Sequence, residues 1–465
     1  MRHLAILVLA CSLCGQQTTD PLGDLIRERF DVGGYPSLAA AVVQGDRIAF
    51  TAVHGFSDRA SNRRATQATL YRIGSVSKVF TTTLLVQLRD KGLVRLDDPV
   101  SKYLPPKVKM PQDPRGARHI TLRHLATHGS GLPRNPVNMT GTEADPWNGY
   151  ATTQLYDGLA ETKLDYPTGA SAAYSNLGMG LLGHALGRAA GMTYGQALTK
   201  YVLQPAGLSS THIGLNNASR SGLAAPYAAD DTTARAAYWN LGCLEGAGAV
   251  VSTVTDLARF ISLNLHAGEA DATPISGGSL TELHKPQRIW DGWTKATGLG
   301  WIVDHARESG DIIWHNGGMA GFRSWVGFSS RWKIGAVVLT NCGRSVDDVG
   351  MELLKAALKK LRTLSPAFEA TAKSLVPHFV AKPSQGLGSK FSQRFLEQIP
   401  ASVISNVFSG LHQKHGKCES VVGVRVAKQP GLAEVIFRFE QGALVTCTLG
   451  LDESAKPPKI TYLRF

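Results

Sequence analysis

Apolar positions four residues apart, Val76, Phe80, Leu84 and Leu88, followed by Gly92, predict a buried helix that begins near Ser75. Upstream, the short apolar runs Leu38 to Val43 and Arg47 to Val53 are separated by Gln44, Gly45 and Asp46, which predicts a hairpin. Far downstream, Phe322 to Phe328 and Ile334 to Leu339 have the same strand-like character. Val349 to Leu361 carries the spacing of an amphipathic helix through Met351, Leu353, Leu354, Ala357, Leu358 and Leu361. The stretch between these sheet pieces reads as mainly helical. The economical fold class is α+β: one antiparallel sheet drawn from both ends of the chain, flanked by helices.

From 365 to 389 the pattern thins into Pro366, Pro377, Pro383, Gly386 and Gly388, which reads as a linker. Beyond it, Phe391, Phe395, Ile399, Val403 and Val407 fit short helices. Alternating runs then predict strands near 422–426, 433–439, 443–449 and 460–465, making a small α+β domain over 390–465. The main domain is expected over 21–364. Residues 1–20 have the form of a signal peptide: Arg2 and His3, an apolar run from Leu4 to Leu13, then a polar stretch to Asp20. That run is too short to span a bilayer, and no later one approaches about 20 residues. An exported protein, periplasmic or secreted, is expected. Val8 to Cys11 loosely resembles a bacterial lipoprotein box, with Leu9 where a small residue is usual, which leaves a lipid anchor at Cys11 open.

Composition narrows the classes. The chain has 465 residues, 43% of them apolar and 18% charged, which fits a globular enzyme and excludes a mainly disordered chain. Lys and Arg outnumber Asp and Glu by 49 to 36, a net charge of +13 that favours anionic neighbours. No Lys/Arg block, zinc knuckle or aromatic platform accompanies it, so nucleic acid is not expected as a partner. Outside the export segment stand Cys243, Cys342, Cys418 and Cys447. Cys418 and Cys447 fall in adjoining predicted strands, so a bond between them and four isolated thiols stand as equal alternatives.

Candidate chemistry starts at Ser75 and Lys78, three residues apart at the head of the first helix and therefore on one face. A buried lysine loses its charged form, and a neutral amine can take the serine proton. Tyr174-Ser175-Asn176 lies on a loop before a second helix, where a tyrosine can relay a proton and an amide can hold both Lys78 and a substrate carbonyl. His315-Asn316-Gly317-Gly318 precedes a strand, and its glycines let backbone approach a ligand. The Gly318 and Ser75 amides would suit an oxyanion hole. His124 and His128 have metal-helix spacing but lack the accompanying Glu, and no serine stands in G-x-S-x-G, which disfavours a zinc hydrolase and an α/β-hydrolase.

In this order the three motifs resemble the signatures of the serine β-lactamase and penicillin-binding protein superfamily, class C branch. Thr69 to Lys78, Leu96 to Leu104, Ile120 to Pro133, Ser252 to Phe260 and Gly298 to Trp301 are similar to family blocks in the same order. The resemblance implies a β-lactamase/transpeptidase-like sheet with an inserted helical subdomain, no cofactor and no metal. It implies Ser75 as acylated nucleophile, Lys78 as base and Tyr174 as proton relay, with Asn176, His315, Asn316, Gly317 and Gly318 binding substrate. β-Lactam or D-Ala-D-Ala-type amides are the implied substrates. A carboxylesterase of the same fold is the alternative, and a catalytically inactive peptidoglycan-binding or scaffold protein is the alternative of another class. His315 stands where typical β-lactamases have lysine, a form closer to D-alanyl-D-alanine peptidases and esterases. A partly charged histidine there implies a pH-dependent hold on a substrate carboxylate. The last domain weakly resembles NTF2-like accessory modules.

Overall fold

The computed structural model describes residues 20–465 apart from 114, 117–118, 216, 292–293, 306–310, 362–365, 381–385, 428–431 and 453–454. The expected export segment to residue 19, with Cys11, lies outside the described residues. Among those described, no helix is long and apolar enough to cross a membrane.

Strands β1 (Ser37–Gln44), β2 (Arg47–Asp58) and β3 (Arg63–Arg64) open the chain's sheet structure. A separate small sheet holds β4 (Tyr71–Arg72), β5 (His212–Ile213) and β6 (Val250–Ser252), with β6 in the middle. Then follow β7 (Arg288–Asp291), β8 (Lys295–Thr297), β9 (Ile302–Asp304), β10 (Ile312–Met319), β11 (Phe322–Ser329) and β12 (Ile334–Thr340). The main sheet has nine strands in the order β3-β2-β1-β12-β11-β10-β9-β8-β7. The seam between the two ends of the chain is the antiparallel pair β1 and β12, in register from Leu38 opposite Thr340 to Gln44 opposite Ile334.

Side chains on a strand alternate between faces, and both faces here are covered. Ala39, Ala41 and Val43 enter a core shared with α2 (Ser77–Asp90), α3 (Asn176–Ala189) and α4 (Val254–Asn264). Leu38, Ala40 and Val42 enter the opposite core with α1 (Pro21–Gly33) and α5 (Asp347–Leu361). This explains why β1 reads as an unbroken apolar run. Gly92, at φ 72°, supplies the left-handed turn that follows α2.

The linker expectation is corrected. Residues Pro366–Leu375 form a helix, α6, and Phe368, Ala372, Leu375, Phe379 and Leu387 are buried in the third core. Proline is tolerated at a first helical position, so Pro366 opens this helix instead of marking a break. The remainder follows the predicted elements: α7 (Gln393–Gln398), α8 (Ala401–His415), and a sheet of β13 (Cys418–Val426), β14 (Leu432–Phe439), β15 (Leu444–Asp452) and β16 (Lys459–Arg464) in sequential order. Phe379 stacks on Phe408 at 4.2 Å between ring centroids. All four cysteines outside the export segment are free. Cys418 opposes Phe439 and Cys447 opposes Val435, so the two flank β14 at positions about 13 Å apart along it, beyond disulfide reach.

Candidate active site

The turn that presents Ser75 is a short 3-10 segment, Gly74–Val76, running directly into α2. Its anchors are specific. The Ile73 amide donates to Val250 O at 3.1 Å, Ser324 Oγ donates to Ile73 O at 2.7 Å, and the Val250 amide donates to Ser77 Oγ at 3.0 Å. β6 and β11 thus hold the turn from two sides, leaving Ser75 partly exposed among buried neighbours.

Lys78 is completely buried one turn on. Its Nζ lies 3.0 Å from Ser75 Oγ, 2.9 Å from Asn176 Oδ1 and 2.7 Å from the Ala247 carbonyl oxygen. Burial and the nearby Arg134 charge hold its pKa well below the ordinary lysine value. Asn176 Oδ1 and Ala247 O can only accept, so a neutral amine spends its two protons on them. The lone pair that remains is available to the Ser75 hydroxyl.

Tyr174 lies over this pair. Lys78 Nζ is 4.7 Å from its ring centroid and Arg134 Cζ 5.0 Å. Burial pushes the phenol up to about 12, while the Ser75 hydroxyl and Arg134 pull it back. The loop is fixed by Ser175, which caps α3 by accepting from the Gly178 amide at 2.9 Å and donates to Pro133 O at 2.7 Å. Asn176 Oδ1 meets Lys78, and its Nδ2 donates one proton to Asn135 Oδ1 at 3.0 Å, leaving the second N–H for another acceptor.

The third motif lies on β10 and divides by face. Among the described residues β10 pairs with β9 only over Ile312–Trp314, so His315–Met319 have β11 on one side and no strand partner on the other. His315 and Gly317 face the nucleophile. A Cβ on Gly317 would stand 2.0 Å from Ile73 O, and one on Gly74 would stand 2.7 Å from the Gly318 amide nitrogen. These two glycines allow close backbone packing between strand and turn, which sets the Gly318 amide against the turn that carries Ser75. Asn316 points the other way and donates to Asp347 Oδ2 at 2.6 Å. His315 is 1% exposed, and burial with the Lys78 charge pushes it down to about 3. This shift favours the uncharged ring near pH 7, against the partly charged histidine the sequence suggests. Its Nδ1 is 2.6 Å from Asn316 O, an acceptor only, so that nitrogen carries the proton.

Three side chains escaped the sequence reading. His128, at φ 56°, packs its ring 4.6 Å from that of Tyr174 and accepts from the Ser175 amide at 3.2 Å. Trp290 stacks near Tyr174 at 6.3 Å. Arg323, opposite Gly318 in the ladder, places Nη1 3.1 Å from where a Gly318 Cβ would stand. Only His128 left a signal, in its pairing with His124. The two rings are engaged separately, His124 Nδ1 with Thr121 at the head of a short helix and His128 with Ser175.

A nucleophile on a buried amine, covered by a tyrosine and facing a strand edge, is a covalent acyl-transfer arrangement. The beta-lactamase family model matches residues 22–359. The chain belongs to the beta-lactamase family. Its serine-hydrolase relatives include the D-alanyl-D-alanine-carboxypeptidase/endopeptidase AmpH of Escherichia coli K12, 29% identical over 316 residues, covering 66% of this chain and 79% of that one. A beta-lactamase of the same organism is 28% identical over 70% of this chain and 89% of its own. Penicillin-binding protein 4* of Bacillus subtilis is 26% identical over 60% and 62%. Among solved structures, the beta-lactamase/D-alanine carboxypeptidase of Yersinia pestis in complex with citrate superimposes with a TM-score of 0.62 at 26% identity, covering 73% of this chain and 98% of that one. The family match ends before α6, so the C-terminal domain lies outside it.

Proposed function

We propose that this protein is an exported serine hydrolase that cleaves D-Ala-D-Ala-type amides, and β-lactams as their cyclic counterparts, through an acyl-enzyme on Ser75. The observation that carries this reading is the triple contact of Lys78 Nζ with Ser75, Asn176 and Ala247. In this reading Lys78 takes the Ser75 proton as Oγ attacks the carbonyl carbon, and the oxyanion is held by the Ser75 and Gly318 amides. Tyr174 passes the proton to the leaving nitrogen as the carbon–nitrogen bond breaks. Water then attacks the ester, and Ser75 recovers its proton.

The neutral His315 offers a substrate one acceptor nitrogen and no charge. The cation for a substrate carboxylate is then Arg323, half-buried beside Gly318. The names of the relatives support the peptidase and β-lactam readings together. Ester hydrolysis is the second reading, favoured by the uncharged imidazole at 315.

The test is twofold. Mass spectrometry after exposure to a labelled penicillin should find one adduct on Ser75 and none in Ser75→Ala. Side-by-side turnover of a chromogenic cephalosporin, a muropeptide and a short-chain p-nitrophenyl ester ranks the substrates, and turnover of the ester alone would move the assignment to esterase.

A further inference from the structure

His128 follows the short helix Leu122–Ala126 and stands outside the three motifs. It is 3% exposed, and its φ of 56° lies in the left-handed region, which is uncommon for a residue with a side chain and recurs at functional sites. Both its carbonyl and its ring turn to one loop. The carbonyl oxygen accepts the Ala173 amide at 3.0 Å, and ring Nδ1 accepts the Ser175 amide at 3.2 Å.

Tyr174 is the residue between those two amides. Among the described residues its own backbone N–H and C=O make no hydrogen bond, so its place depends on its neighbours in sequence and on the packing of its ring. The His128 ring lies 4.6 Å from that ring. The Tyr166 hydroxyl closes the bracket, donating to His128 O at 2.8 Å and accepting from the Ala173 amide at 2.9 Å. Nδ1 can accept only while it carries no proton. Burial, the largest cause, holds the His128 pKa well below the ordinary histidine value and so keeps that nitrogen free to accept.

We propose that His128 is a positioning residue, which brackets Tyr174 through the amides on either side of it and fixes the phenol where it can deliver a proton to the leaving group. This rests on the acyl-transfer reading, in which Tyr174 passes that proton. Misplacing a reacting group by about 1 Å can cost about 100-fold in rate.

Two butyrate esters separate this role from general support of the fold. p-Nitrophenyl butyrate expels a stable phenolate and ethyl butyrate an alkoxide that needs a proton, while both leave the same acyl group on Ser75. His128→Gly removes the ring and Nδ1 and suits the left-handed backbone. It should lower kcat/KM about 10- to 100-fold for the ethyl ester and less than about threefold for the p-nitrophenyl ester. Asparagine tolerates that backbone and returns an acceptor, so His128→Asn should recover part of the loss. Tyr166→Phe, which takes away only the bracketing hydroxyl, should move the ratio of the two esters the same way by a smaller factor. Hydrogen exchange in the segment 173–175 should quicken in His128→Gly, and thermal melts establish that each variant is folded. Equal losses for the two esters in folded variants would overturn the proposal, and so would unchanged exchange. Ester turnover that survives Ser75→Ala would instead overturn the acyl-transfer reading beneath it.

Discussion

Gly74 and Gly318 meet backbone to backbone: a Cβ on the first would stand 2.7 Å from the amide nitrogen of the second. Gly74 also has φ 51°, where a side chain is strained. Gly74→Ala should therefore push β10 off the nucleophile turn and spoil the oxyanion site. Loss of one such donor lowers kcat about 100- to 1,000-fold. Ester turnover by Gly74→Ala, compared with a melt showing the fold intact, checks this.

Burial and the Arg134 charge lower the Lys78 pKa, so Arg134→Ala should raise it. The acid limb of the pH profile of kcat/KM should then move to higher pH. An unmoved limb would show that another group controls it. Lys78→Met, without the base, should lose about 100- to 10,000-fold in acylation rate.

Arg323→Gln should raise KM for substrates that bear a carboxylate and leave a neutral p-nitrophenyl ester unaffected. Arg323→Lys should recover part of the loss, because it restores charge without the planar fork. Equal effects on both substrate types would remove Arg323 from carboxylate binding.

His315 and His284 are buried and both pushed down to about 3. A histidine whose folded pKa lies below its unfolded value favours folding above about pH 6.5, and that contribution is lost as pH falls toward the folded value. Each should cost about 2 kcal/mol between pH 6.5 and 5. Urea unfolding at pH 7 and pH 5 should show the drop, reduced in His315→Gln.

Asn316→Ala should lose the bond to Asp347 and about 1 kcal/mol of stability, with kcat/KM nearly unchanged. A large fall in kcat/KM at full stability would return Asn316 to the substrate side.

Periodicity made the β1–β2 hairpin, β11, β12, α2 and α5 legible, because each buries a face whose spacing matches its element. It failed at α6, where Phe368, Ala372, Leu375 and Phe379 keep helical spacing while the surrounding prolines and glycines suggest a break. In the site, Ser75, Lys78, Tyr174 and Asn176 are drawn together as their order suggested. Within the third motif, strand alternation sends Asn316 to the face opposite His315, a division its tripeptide pattern did not reveal. Arg323 and Trp290 gave no signal, since their positions depend on pairings between segments distant in sequence.

The seam between β1 and β12 sets a condition on when the site can exist. Ser75 and Lys78 fold onto α2 early in the chain, but the strand carrying Gly318 is held between β9 and β11 and reaches β1 only through β12. A chain cut anywhere between Lys78 and Gly318 keeps its serine and lysine and lacks the strand that stands against them. The two halves of the proposed oxyanion site, the Ser75 and Gly318 amides, are thus contributed by segments more than half the chain apart.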